Sequence, residues 1–170
     1  MARERQIILD TETTGLYADR GDRMLEFAGI EMKKRQLTMN NLHLYIHPDR
    51  DIPEEAAAVH GITLEQLEER NAPKFEQVGR QIADFLRGAE LIIHNARFDV
   101  GFLTQALGTR GLLDRGARVP RVCTMEWARH FMTTPSRRLT TCCEVAGVEI
   151  GRHHNALDVA LAAAGLLRHY

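Results

Sequence analysis

Apolar residues along this chain follow two rhythms. Near the amino terminus they gather in short runs. Gln6-Ile7-Ile8-Leu9-Asp10 reads as a buried strand, and Leu25–Lys33 and Thr38–His47 alternate over part of their length as strands do. Short polar connections between the three predict an antiparallel meander. From Pro53 onward the spacing becomes helical. A short helix is expected over Glu54–Val59, and a longer amphipathic one over Pro73–Arg87, stopped by Gly88. Leu91-Ile92-Ile93 is a short strand and Arg97–Leu107 a helix, followed by a Gly- and Arg-rich loop from Gly108 to Pro120. Val122–Thr124 is a brief strand, and helices follow near Met125–Met132, over Leu139–Ala146 and over Asn155–His169. Neither repeat nor linker interrupts this order. It predicts one α/β domain over residues 1–170, with a mixed sheet flanked by helices.

Composition adds little to that fold but narrows the setting. With 44% apolar and 26% charged residues over 170 positions, the chain can bury a sizeable core. No apolar run reaches the length of a membrane span and no secretory segment follows Met1, so a soluble, cytoplasmic protein without membrane partners is expected. Cys142 and Cys143 are adjacent, which suits neither an ordinary disulfide nor zinc-ligand spacing. With Cys123 they read as buried thiols. The net charge of −1 argues against a generic polyanion binder. Its distribution is uneven, however. Residues 1–107 carry 13 Lys/Arg against 18 Asp/Glu, whereas residues 108–140 carry seven Arg against Asp114 and Glu126. That stretch is either a solvated surface or a means of steering a polyanion.

Candidate chemistry begins at Asp10-Thr11-Glu12-Thr13-Thr14-Gly15. Side chains alternate on a strand, so Asp10 and Glu12 share a face about 7 Å apart. Two like charges so placed call for a cation between them, and hard divalent ions take carboxylate oxygens. A solvated strand end before a Thr-Gly turn is the plainer alternative. A second acid, Asp99, lies between Phe98 and Phe102 in an otherwise apolar turn, where a carboxylate needs a partner. Asn95 is four residues before it, on the same face if both are helical, or else only an N-cap. A third acid, Asp158, lies in the small-residue helix of Ala156, Val159, Ala160 and Ala162–Gly165, just after His153 and His154. Either histidine could serve as a general base near neutral pH.

Taken together, Asp-Thr-Glu-Thr-Thr-Gly, then His94-Asn95-Ala96-Arg97-Phe98-Asp99-Val100-Gly101-Phe102-Leu103, then a His and an Asp on an Ala-rich helix resemble the three motifs of the DEDDh 3′→5′ exonuclease family. The likeness is greatest to its proofreading, epsilon-type branch. Val59-His60-Gly61-Ile62 and Arg87–Ile93 add to it. The match covers essentially the whole chain and is looser after Leu107. The resemblance implies a ribonuclease-H-like fold holding two divalent cations, Mg²⁺ or Mn²⁺. It implies that Asp10, Glu12, Asp99 and Asp158 bind them, with Asp99 acting largely through water. It further implies that Thr13, Thr14 and Leu16 receive the terminal nucleotide, that His60, Asn95 and Phe98 line the neighbouring pocket, and that a His deprotonates the attacking water. The expected partners are DNA 3′ ends, single-stranded or frayed, and a polymerase catalytic subunit.

The third motif departs from the family. The usual spacing of four residues between His and Asp selects His153 with Asp158. An ungapped match from Leu139 through Gly147 instead selects His154 and puts Val159 at the position of the metal-binding Asp. One helical step is a rotation of about 100°, so the two frames aim a carboxylate differently. The expectation adopted is a working site with His154 as base, His153 as alternative, and Asp158 as ligand. Two other readings remain: an exoribonuclease that trims RNA 3′ ends, and a degraded, non-catalytic module that grips nucleic acid or a polymerase. Relatives of the epsilon type carry a further tail, so this chain is either a stand-alone enzyme or a trimmed one.

Overall fold

A computed structural model describes residues 4–109, 111, 112, 119–151 and 155–170. The elements are β1 (Arg5–Thr13), β2 (Met24–Lys33), β3 (Gln36–Tyr45), α1 (Glu54–His60), α2 (Leu64–Glu69), α3 (Phe75–Leu86), β4 (Glu90–Ile93), α4 (Ala96–Gly108), β5 (Arg121–Cys123), α5 (Thr124–Phe131), α6 (Leu139–Ala146) and α7 (Ala156–His169). The strands form one sheet in the order β3-β2-β1-β4-β5. β1 is antiparallel to β2 and parallel to β4, and β4 is parallel to β5. This is the mixed sheet expected from a meander followed by strand–helix alternation. β1 is longer than its apolar run and includes Thr11–Thr13, and the short helix α2 was not foreseen. A Thr63/Gln66 capping box starts α2, a signal present in the sequence.

Alternation along the strands divides the core into two layers. Ile7, Leu9, Phe27, Leu91 and Ile93 face α3 and α4, where Val78, Ile82, Val100, Phe102 and Leu103 meet them. Ile8, Ile30, Met32 and Ile92 face the other way, against Ala160, Ala163, Ala164 and Leu167 of α7. The small residues of α7 let it lie close on the sheet. Behind it, Ala162 and Leu166 join Ala128 of α5 and Leu139, Cys142 and Cys143 of α6. All three cysteines are buried and unbridged, as expected, and burial pushes the Cys143 thiol up to about 11. No helix among the described residues is long and apolar enough to cross a membrane. Of the Arg-rich stretch, Arg121, Arg129, Arg137 and Arg138 are described and all are exposed, while Arg110, Arg115 and Arg118 lie outside the described residues.

Candidate nuclease site

β1 outruns its parallel neighbour. Its pairing with β4 ends at Ile8 opposite Ile92, whereas its pairing with β2 continues to Thr13. Asp10–Thr13 therefore project beyond the carboxyl end of β4, where the chain turns into α4. This is the sheet edge at which α/β proteins place their ligands. Asp10 and Glu12 continue the face of Ile8, toward α7. Thr11 continues the face of Leu9, toward α4. Asp99, on the first turn of α4, is 2% exposed. Its carboxylate accepts a hydrogen bond of 2.5 Å from the Thr11 hydroxyl.

Burial raises all three acids, and like charge adds to the rise of Asp10 and Glu12. Burial, then the charges of Asp99, Glu12 and Glu26, raise Asp10 well above the usual carboxylate range. Burial, Glu26 and Asp99 push Glu12 up to about 8. Burial pushes Asp99 up to about 7, against the opposing pull of its hydrogen bond from Thr11. Carboxylates held this way are poised for a cation, which would replace the protons they otherwise retain. Among the described residues, however, no three His, Cys, Asp or Glu side chains are grouped so as to hold a metal ion. The donor chemistry at the end of β1 suits a hard divalent ion, but the cage is incomplete.

Glu26 was missed by sequence reasoning. It stands directly opposite Glu12 in the β1–β2 register and is 1% exposed. Its carboxylate is satisfied on both sides. Oε2 lies 2.7 Å from His43 Nε2, and Oε1 accepts the Ala156 amide at 3.0 Å, which anchors the start of α7 over β2. Only the strand register reveals this neighbour, because Leu25–Ala28 otherwise reads as a plain apolar run. Thr11 was likewise passed over between the two acids.

The Thr-Thr-Gly turn is held by Asp22. Thr14 donates its hydroxyl to Asp22 Oδ1 at 2.9 Å and accepts the Arg23 amide, while its own amide bonds the Arg23 carbonyl. Asp22 also accepts the Tyr17 amide at 3.0 Å and lies 3.3 Å from Arg50. A Cβ on Gly15 would fall within 2.6 Å of the Asp22 Cγ, so only glycine fits there. Thr13 spends its hydroxyl on the Gly15 carbonyl. The two threonine hydroxyls build the turn, and Leu16 at its tip, 70% exposed, is what the turn offers to solvent. Asp22→Ala removes a charged acceptor from three donors and is expected to cost about 2–3 kcal/mol in urea unfolding. An unchanged midpoint would show that the turn does not depend on it.

His60 braces the same strand end. Its Nδ1 accepts the Ile62 amide, so the proton sits on Nε2, which donates to the Thr13 carbonyl at 3.1 Å. His60 also lines a groove of about 430 Å³ with Glu26, Tyr45, Gln66, Arg70 and Asn155. Asn95 departs from expectation. It is not helical but left-handed, at φ 66°, and its side chain caps nothing. It is exposed while Asp99 is buried, so the two do not share a helix face. The Ala96 amide turns instead to Cys123 Sγ at 3.4 Å. Phe98 is half-buried and packs on Phe102, ring centroids 5.0 Å apart.

Asp158 sits on the side of α7 turned from the sheet. Ala160, two residues on, faces the sheet, and two helical steps turn Asp158 about 200° away from it. A Cβ on Gly151 would lie 2.9–3.1 Å from the Asp158 carboxylate atoms. Seven residues on, Gly165 meets Val148 on the same helix flank. The carboxylate therefore packs against Gly151. His153 and His154 lie outside the described residues.

A mixed sheet whose central strand carries paired carboxylates past its parallel neighbour, with a third acid entering from the next helix, defines a nuclease-type domain. The sequence model of the Exonuclease family (RNase_T) matches residues 7–167, and the chain belongs to that family. Among curated relatives, the DNA polymerase III subunit epsilon of Pasteurella multocida is 37% identical over 170 residues, covering 94% of this chain and 65% of that protein. The Escherichia coli subunit of the same name is 47% identical over 103 residues, covering 58% of this chain and 42% of the relative. The chain thus spans less than two thirds of the relatives' length. Solved structures share the fold at low identity. An E. coli exonuclease I in complex with an oligonucleotide superposes with a TM-score of 0.83 at 19% identity, over 98% of this chain and 40% of that one. Exonuclease I from Methylocaldum szegediense gives 0.81 at 22%, over 96% of this chain and 40% of that one.

Proposed function

We propose that this chain is a divalent-metal-dependent 3′→5′ exonuclease that releases nucleoside 5′-monophosphates from DNA 3′ ends, in proofreading or repair. One observation carries the reading. Half-buried Asp10 and Glu12 and buried Asp99 crowd the open end of β1, where burial raises all three and Asp99 further raises the other two, an arrangement that costs stability unless cations occupy it. The family membership and the relatives named as DNA polymerase subunits support DNA as substrate and a polymerase catalytic subunit as partner. Asp10 and Glu12 would hold the cation, Mg²⁺ or Mn²⁺, with Asp99 beside them. When bound, such ions acidify water and stabilise the charge that develops on the phosphodiester and leaving oxygen.

The chain's own residues supply the rest. Thr11 fixes the Asp99 carboxylate. Asp22 and His60 hold the strand end and its turn rigid, so that Leu16 meets the terminal nucleotide. Phe98 and Asn95, at the start of α4, would meet the neighbouring base and sugar. His154, or His153, is the proposed base for the water proton. The test is incubation with 3′-recessed and single-stranded DNA and with RNA, in Mg²⁺, Mn²⁺ or EDTA. Metal-dependent shortening of DNA from its 3′ end is expected. DNA that stays intact with excess protein and either metal contradicts the reading, and preferential shortening of RNA moves the substrate class.

A further inference from the structure

The fourth carboxylate expected of the site is not where the metal would need it. α7 begins over β2, because the Ala156 amide bonds Glu26. From β2 the sheet continues to β1 and then to β4, against which α5 packs. The flank of α7 that meets Ala128 of α5 and the residues of α6 therefore looks across β1, toward the strand that carries Asp10 and Glu12. Val159 lies on that flank, nearer the sheet than Ala162 and Leu166, which turn further back into the same cluster. Val159 is also one turn before Ala163, which touches the sheet. Asp158 lies one helical step further round, about 200° from the sheet-facing Ala160, beside Gly151 and on the side where Gly165 meets Val148. The loop ahead of the helix cannot turn one residue into the other's place, since four sheet-facing positions from Ala160 to Leu167 fix the phase of the helix.

We propose that Val159, not Asp158, occupies the α7 position directed at the β1 carboxylates, so that this chain holds divalent cations with sheet-borne and α4-borne acids alone. This rests on the proposed nuclease site and sharpens it. An isopropyl group donates nothing to a metal. The site binds cations weakly, grips DNA ends more readily than it cuts them, and becomes complete with one substitution. The 3′-end shortening proposed above is correspondingly slow.

Calorimetric titration of Mn²⁺ into the full chain tests this, with melting curves in parallel. Val159→Asp is expected to tighten Mn²⁺ binding by about tenfold or more and to speed 3′-end shortening. Its melting midpoint should be lower than wild type in EDTA and recover with Mn²⁺, because the new carboxylate replaces a half-buried apolar group and is unpaired without metal. Asp158→Ala is expected to leave Mn²⁺ affinity unchanged, and that variant decides the matter even if Val159→Asp fails to fold. Loss of Mn²⁺ affinity in Asp158→Ala, or no gain in a folded Val159→Asp, overturns the inference. Asp10→Asn separates the two readings. If it leaves Mn²⁺ binding intact, the proposed site itself fails, whatever residue 159 does.

Discussion

Asp10→Asn should reduce metal-dependent shortening of DNA by at least about a thousandfold while leaving the fold intact. The figure follows from removing the carboxylate that the proposed site places nearest the cation. A divalent ion contributes several kcal/mol to stabilising charge in phosphodiester cleavage, and about 4 kcal/mol is roughly a thousandfold in rate. The same substitution takes away a buried charge that Asp99, Glu12 and Glu26 all oppose. Without metal at pH 8, the variant is therefore expected to melt above wild type. Initial rates with 3′-labelled single-stranded DNA, read beside melting curves in EDTA, check both halves. A variant that loses activity and also melts lower in EDTA would mean that Asp10 is structural and that its charge is already compensated within the protein.

Without metal, stability is expected to fall as pH rises from about 4 to about 8. An unfolded carboxyl group releases its proton near pH 4. In the folded protein Asp99 keeps its proton until about 7 and Glu12 until about 8. Between those limits the native state binds more protons than the unfolded one, so the slope of stability with pH is negative. Below pH 4 the penalty from Asp99 and Glu12 vanishes, and it is complete once pH has risen past the Glu12 value of about 8. For Asp99 alone it amounts to a few kcal/mol, or roughly 5–10 °C in melting temperature for a domain of this size. Asp99→Asn keeps an oxygen for the Thr11 hydroxyl and cannot ionise. It should raise the EDTA melting point at pH 8 and change it little at pH 5. Divalent metal should stabilise wild type far more at pH 8 than at pH 5, since it binds the ionised acids. A flat EDTA profile between pH 5 and 8 would show that the carboxylates are not in conflict.

Much of this was readable from residue order, and the parts that were not share a cause. The common face of Asp10 and Glu12 follows from a period of two, which no packing can alter within a strand. The buried state of Asp99 followed from its apolar neighbours Phe98 and Phe102. Glu26 opposite Glu12 depends on the β1–β2 register, and Thr11 bonded to Asp99 depends on how α4 enters beside β1. Both are long-range pairings that local pattern does not encode. Asn95 could be placed at the start of α4 but not in its left-handed conformation. Asp158 shows the limit most plainly. A helix was correctly expected from Asn155, yet which of two adjacent residues faces the sheet depends on the phase that Ala160, Ala163, Ala164 and Leu167 adopt against Ile8, Ile30 and Ile92. Spacing between motifs favours Asp158, whereas the phase of the packed helix underlies the proposal of Val159.

The central claim is that the projecting end of β1 is a divalent-cation site built on Asp10. Mn²⁺ diffused into crystals at pH 8 and located by its anomalous scattering tests it most directly. The account predicts Mn²⁺ on the α7 face of β1, ligated by Asp10 and Glu12, with no oxygen of Asp158 in its coordination shell. Mn²⁺ bound away from Asp10, or bridged to Asp158, would contradict it.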